Sequence, residues 1–347
     1  MYSFRAKPYT LHFRFGAGTS RGVLTQKHGW LIKLTDPSSP GRSGIGECSL
    51  IPGLSPDLPE DIESLIRVFE KEGIEPQMFI NSHAAQFPAM AFALEMALAS
   101  LERLGSMKLF PSRFTEGHMG IPINGLVWMG SIEEMKARIR DKIEQGYHTI
   151  KLKVGALNFD DELALIREIR AHYSPTDISL RLDANGAFGT DEALEKLERL
   201  SQFHIHSIEQ PIRAGQPEEM ARICCHNPIP VALDEELIAV PDGQMQTLLE
   251  NIRPQYIILK PSLLGGLKRS AQWIDHAQKL DIGWWVTSAL ESNVGLSAIS
   301  QWTATLNNPL PQGLGTGQLY NNNFKSPLHI REAQLWHDPQ IHWEIPF

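Results

Sequence analysis

Cysteine is scarce in this chain: three occur in 347 residues, two of them adjacent at Cys224 and Cys225. That excludes a disulfide framework, and no CxxC pattern offers a metal site. A reducing compartment, the cytoplasm, is the expected setting. Positive charge is also in deficit, with 32 Lys and Arg against 40 Asp and Glu and a net charge of −8. No basic excess is left for phosphates, so nucleic acid is not an expected partner. Long apolar runs are missing too. Nothing approaches the roughly 20 consecutive apolar residues of a membrane helix. Near the start, Arg5, Lys7, His12 and Arg14 have no apolar signal core between them. Low-complexity tracts and strict repeats are absent as well.

What is present reads as a globular protein. Apolar content of 42% with charged content of 21% is ordinary for one. The length exceeds one small core and fits a large domain plus a second. In the first ~115 residues, YTLHFRF, GWLIKLT and SGIGECS alternate between turn residues, as in a small antiparallel sheet. PEDIESLIRVFEKEG and PAMAFALEMALASLERLG then read as helices. Residues 1–115 are therefore expected to form an α+β domain. From residue 121 short apolar strands alternate with amphipathic helices. The strands are INGLV, TIKLKV, SLRLDA, HSIEQP, VALDE, YIILKP, WWVTSA and a last short GLGTG, with seven helices between them. Sustained strand–helix alternation implies a parallel sheet. Eight such units suggest an α/β fold of the closed (β/α)7β, TIM-like kind, over residues 116–317. An open doubly wound sheet is the rival, but no GxGxxG turn follows the first strand. The tail, 318–347, is expected to return to the N-terminal domain.

Barrel enzymes carry their chemistry at the C-terminal ends of the strands. The second strand ends in Lys151 and Lys153, the third in Arg181 and Asp183, the fourth in Glu209, the fifth in Asp234 and the sixth in Lys260. The seventh ends in Thr287 and Ser288, with Glu291 just beyond. Taken singly, an Asp at a strand end is usually a cap or turn residue, and a Lys can reach past its strand to water. Five consecutive strands each delivering a charge at one-unit spacing is a different matter. The order is Lys, Asp, Glu, Asp, Lys. Three bare carboxylates would repel one another, and a hard divalent cation removes that problem. Oxygen ligands without convergent histidines suit Mg²⁺ over Zn²⁺. Lysines on both sides would face each other across whatever the ion holds. His204 and His206 precede the fourth strand, at the wrong end for catalysis, and read as structural.

These segments resemble a known family. KLKVG, RLDANGAF, IEQPI, ALDEEL, LKPSLLGGL and SALESNVGL are similar to the barrel motifs of the enolase superfamily, muconate-lactonizing-enzyme branch, and GIGECSLIPGLS to its N-terminal capping domain. The resemblance implies that Asp183, Glu209 and Asp234 hold Mg²⁺, with Mn²⁺ as a substitute. It makes Lys153 and Lys260 the acid/base pair. Within the branch, FGAGTSRGVL, INGLVWMG, TSALESNVGL and QGLGTG look most like the members that form o-succinylbenzoate in menaquinone biosynthesis. Their reaction is syn-dehydration of 2-succinyl-6-hydroxy-2,4-cyclohexadiene-1-carboxylate through an enediolate. Lys153 would take the α-proton and return it to the departing hydroxyl. The cation and the ammonium of Lys151 both disfavour a second positive charge on it. Lys260 would stay charged on the opposite face. Lys151, Arg181, Ser288 and Gly313 are the expected substrate contacts, and Thr19, Ser20 and Arg21 the expected lid. Dipeptide epimerases of the branch usually carry a DxD-type motif at strand eight to grip a substrate ammonium. Gly313 to Gly317 contain no acid, which points to a small carboxylate substrate without an amino group. The alternatives are a dipeptide epimerase or N-acylamino acid racemase on the same site, a Schiff-base barrel lyase using Lys153 or Lys260, and a binding protein that has lost catalysis. The sequence leaves the oligomeric state open.

Overall fold

A computed structural model describes residues 1–19, 22–39, 41–128, 130–226 and 228–347, of which 17–19 by their backbone alone. The alternating N-terminal segments form an antiparallel sheet, β1 (Ser3–Thr19), β2 (Gly22–Thr35) and β3 (Ser43–Ser49), in that order. Three helices follow, α1 (Pro59–Glu72), α2 (Pro76–His83) and α3 (Pro88–Glu102). Each opens on a proline, which loses no helical hydrogen bond in the first turn. The alanines of α3 let β3 come very close. A Cβ at Gly44 or Gly46 would lie 1.9 Å from the carbonyl oxygen of Ala97 or Ala93.

Short β4 (Ile121–Pro122) leads into β5 (Gly125–Val127) and α4 (Ile132–Glu144). Then come β6 (Thr149–Lys153), α5 (Phe159–His172), β7 (Ser179–Asp183) and α6 (Ala193–Ser201). β8 (Ser207–Glu209), α7 (Pro217–His226), β9 (Val231–Leu233) and α8 (Met245–Ile252) continue the pattern. The run ends with β10 (Tyr256–Leu259), α9 (Pro261–Leu264), α10 (Leu267–Lys279), β11 (Gly283–Val286) and α11 (Asn293–Thr305). Strands β5 to β11 form one parallel sheet in sequence order. The expected eighth strand is reduced to two residues. Gln312 bridges to Ile123 on one side and Gly313 to Thr287 on the other, and this closes the ring. The fold is thus the curled parallel barrel with an antiparallel N-terminal cap.

Side-chain alternation sorts the strands into two faces. Ile150, Leu152, Leu180, Leu182, Ile257 and Leu259 point outward into the main core with the helices. Inside, Ala232, Ile258 and Trp285 pack as a separate small cluster, and the charged strand ends lie above it. The tail divides its contacts. Tyr320 bridges to Phe13 of β1 and Asn322 bonds to His12 and Thr10. Further on, β12 (Leu328–Arg331) and β13 (Gln334–His337) form a hairpin whose Leu335 pairs with Ile121 of β4. Among the described residues no helix is long and apolar enough to cross a membrane.

Candidate active site

Parallel pairing sets the height of each functional group. Lys153 is in register with Asp183, and Asp183 with Glu209. Glu209 pairs with Ala232, two residues before Asp234. Lys260 follows β10 directly. The side chains then meet in an unbroken series. Lys153 Nζ donates to Asp183 Oδ2 at 2.6 Å. Lys151 Nζ bridges Asp183 Oδ2 at 2.7 Å and Glu209 Oε2 at 2.5 Å. Lys260 Nζ pairs with Asp234 Oδ2 and lies 3.9 Å from Glu209 Oε1. The three carboxylates are buried, while the lysine side chains keep 11–13% of their surface. The amines face the cavity above.

Burial and charge pull the titrations apart. Burial alone would raise the Asp183 carboxyl, but Lys151, Lys153 and Lys260 hold it well below the usual range. Glu209 goes the other way: burial and the neighbouring charge of Asp183 push it up. Burial works against the charge of Lys260, yet Asp234 and Glu209 outweigh it and keep its pKa above that of an ordinary lysine. Lys151 is raised for the same reason, with Asp183 and Glu209 overcoming its burial.

A cavity of about 410 Å³ opens above these groups. Lys151, Lys153, Lys260, Ser288 and Gly313 of the expected set line it. Its far wall is apolar and comes from the cap and the strand ends, including Phe15, Leu24, Ile51, Trp128 and Leu290. Arg181 is not part of that lining. It sits one layer down, where its guanidinium stacks on Trp285 at 4.0 Å and donates to the carbonyl of Pro311 at 2.8 Å. It shares the inner face of its strand with Asp183 but belongs to the barrel floor. Ser288 lines the cavity, but its hydroxyl is committed elsewhere. It donates to Glu291 Oε2 at 2.5 Å and accepts from Thr316 Oγ1 and the amide of Leu290. Gly313 is needed bare: a Cβ there would lie 2.0 Å from Thr287 Oγ1. Of the expected lid, Ser20 and Arg21 lie outside the described residues, and Thr19 is described by its backbone alone. His206 stacks on Tyr256 beneath the site, and burial pushes its imidazole down to about 4.

Asn185 joins the candidate site although it is not among the residues expected there. Asn185 Oδ1 accepts from Lys153 Nζ at 2.5 Å, its Nδ2 donates to Glu235 at 3.1 Å, and its amide donates to Asp183 Oδ1. It takes φ 45°, a left-handed conformation that Asn tolerates better than most residues. The signal was available, since Asn185 stands two residues past a strand-end acid.

Comparison with known proteins bears on this arrangement. Residues 134–339 match the enolase C-terminal domain-like family, and the chain belongs to it. It is 47% identical over 351 residues to the o-succinylbenzoate synthase of Desulfotalea psychrophila (strain LSv54), covering 92% of this chain and 95% of that one. A crystal structure of MenC from the same organism aligns with a TM-score of 0.86 at 42% identity, covering 96% of this chain and 99% of that one. The substrate-liganded L-Ala-D/L-Glu epimerase of Bacillus subtilis shares the fold, with a TM-score of 0.82 and 99% coverage of each chain at 19% identity.

Membership implies a divalent metal ion. Among the described residues, no three His, Cys, Asp or Glu side chains stand in a ready-made ligand cluster. Each of the three carboxylates contacts a lysine amine. The residues nonetheless fit such an ion. Asp183, Glu209 and Asp234 offer oxygen donors only, and Glu209 Oε1 is buried with no hydrogen-bond partner among the described residues.

Proposed function

We propose that this chain is a Mg²⁺-dependent o-succinylbenzoate synthase, acting on a small carboxylate in the cytoplasm, with Mn²⁺ able to replace Mg²⁺. The observation that carries the reading is the series Lys153, Asp183, Lys151, Glu209, Lys260, Asp234 at the mouth of the barrel. Asp183, Glu209 and Asp234 would hold the ion. When bound, it supplies Lewis-acid stabilisation for charge developing on the substrate carboxylate.

The remaining steps belong to side chains. The neutral amine of Lys153 takes the α-proton, and Asn185 fixes the direction of that amine. The resulting ammonium returns the proton to the hydroxyl, which leaves as water while the ring gains its double bond. One residue serves both transfers because proton and hydroxyl leave from the same face. Lys260 stays charged across the cavity, as its pairing with Asp234 favours, and faces the developing negative charge. Lys151 adds positive charge beside the carboxylates. The apolar wall of Phe15, Ile51 and Trp128 suits a carbocyclic ring. The acid-free stretch from Gly313 to Gly317 suits a substrate without an ammonium. We assign residues 1–115 to the capping domain and 116–317 to the barrel.

The test is formation of o-succinylbenzoate by the purified protein, with and without EDTA, beside a panel of dipeptides. Turnover that chelator abolishes and added Mg²⁺ restores is the expected result. Epimerisation of the dipeptides without dehydration would replace this reading with that of an epimerase. Dehydration unaffected by chelator would overturn the metal assignment.

A further inference from the structure

A second group of buried charges joins the cap to the barrel, outside the reacting centre. Lys27 of β2 is 2% exposed, and its ammonium donates to the carbonyl of Ala289 at 2.6 Å. Glu47 of β3 and Glu291, just before α11, are both fully buried. Glu291 accepts from Ser262 Oγ, Ser288 Oγ and the amide of Ala289. Glu47 accepts from Tyr9 Oη and from the amides of Ser292 and Gly295 in the first turn of α11, and it also pairs with Ser292 Oγ. Tyr320 adds a fourth tie by donating to the carbonyl of Leu290 at 2.7 Å.

The ties of Lys27, Glu291 and Tyr320 converge on the 288–291 segment, and Glu47 holds the chain just beyond it; Ser288, Ala289 and Leu290 line the cavity. Leu290 holds φ 63°, a left-handed conformation that costs a branched residue of order 1–2 kcal/mol. The segment therefore needs outside partners to keep its shape. Carbonyls 289 and 290 receive theirs from Lys27 on the cap and Tyr320 on the tail. Burial pushes the Lys27 ammonium down to about 8, with Glu291 and Glu47 opposing the shift. A lysine kept dry at that cost has a task other than solubility.

We infer that Lys27 is a positioning residue: through the carbonyl of Ala289, the cap sets the shape of the 288–290 wall and so the affinity for substrate. The inference rests on the proposed site but not on the identity of the reaction. It concerns binding, because Ala289 lines the cavity and, among the described residues, neither it nor Lys27 hydrogen-bonds the lysines and carboxylates that would do the chemistry.

The experiment compares wild type, Lys27→Met, Lys27→Arg and Tyr320→Phe in o-succinylbenzoate formation, with hydrogen exchange of the 287–292 amides read in parallel. Lys27→Met should raise KM roughly tenfold, the size of one lost charge-assisted hydrogen bond, with kcat within about threefold. Lys27→Arg should recover most of the loss. Exchange should quicken within 287–292 and not in β6 or β7. A folded Lys27→Met with wild-type KM, or a loss confined to kcat, overturns the inference. Unchanged exchange in 287–292 overturns it as well. Should Lys27→Met not fold, Tyr320→Phe decides: a raised KM with faster exchange supports the inference and wild-type values refute it. Wild type that makes no o-succinylbenzoate would sink the proposed reaction alone, and exchange would still judge Lys27.

Discussion

Two clusters of buried charge lie close together in this chain and are built differently. In the barrel mouth, three carboxylates are satisfied chiefly by three lysine amines, and one oxygen of Glu209 has no hydrogen-bond partner among the described residues. At the seam between cap and barrel, Glu47 and Glu291 are satisfied by hydroxyls and backbone amides, each oxygen with its own donor. Amides and hydroxyls packed in the core cannot leave. Lysine amines on long, flexible stems can. On the proposed reading, the first cluster exchanges partners when a cation or substrate arrives, and the second does not. The two differ in what neutralises the buried charge, flexible amines in one and packed hydroxyls and amides in the other.

Substitutions can break that comparison or sharpen it. The largest effect should come from Lys153→Ala, which should lower kcat by roughly 10²–10⁴ while circular dichroism and the unfolding midpoint stay close to wild type. A large loss of stability instead would mean that the mouth cluster is structural like the seam. The converse case is Glu47→Gln. It should cost about 1–3 kcal/mol in urea unfolding, because one of the two buried amides at the start of α11, Ser292 or Gly295, then faces an NH2 donor instead of an acceptor. It should leave the metal requirement intact. A Glu47→Gln protein as stable as wild type would erase the contrast.

A third kind of buried carboxylate gives the smallest expected effect. Asp57 holds the start of α3 through the amides of Ala89 and Met90, with no ion pair to it among the described residues. Burial pushes its carboxyl up to about 7. Its pKa is higher folded than unfolded, so the folded chain binds the extra proton. Its contribution is present below about pH 4 and is lost as pH rises through about 7. Asp57→Asn should therefore flatten the fall in melting temperature between about pH 4 and pH 7. A wild-type slope retained in the variant would mean that other groups set it.

Much of the site was legible because a strand–helix unit has a nearly constant length. Residues one unit apart arrive at equal height, so Lys153, Asp183, Glu209, Asp234 and Lys260 could be aligned without coordinates. Height within a strand was harder. Arg181 precedes Asp183 by two positions and shares its face, yet two residues of rise place it on the floor against Trp285. Ser288 stood at the right height too, but the donors and acceptors that claim its hydroxyl, Glu291 and Thr316, depend on how two loops meet. The eighth strand shrank because its segment bridges neighbours only at Gln312 and Gly313.

The alternation of strands and helices, the two faces of each strand and the ring of charges are written into the order of residues. All three follow from local periodicity, which any stretch of chain carries within itself. Which carboxylates meet lysines and which meet amides is settled by how the elements pack. So is the crossing of Lys27 over 262 positions of sequence to reach Ala289. A hydrogen bond has a range of about 3 Å and no memory of chain distance, so its partners are settled by packing alone.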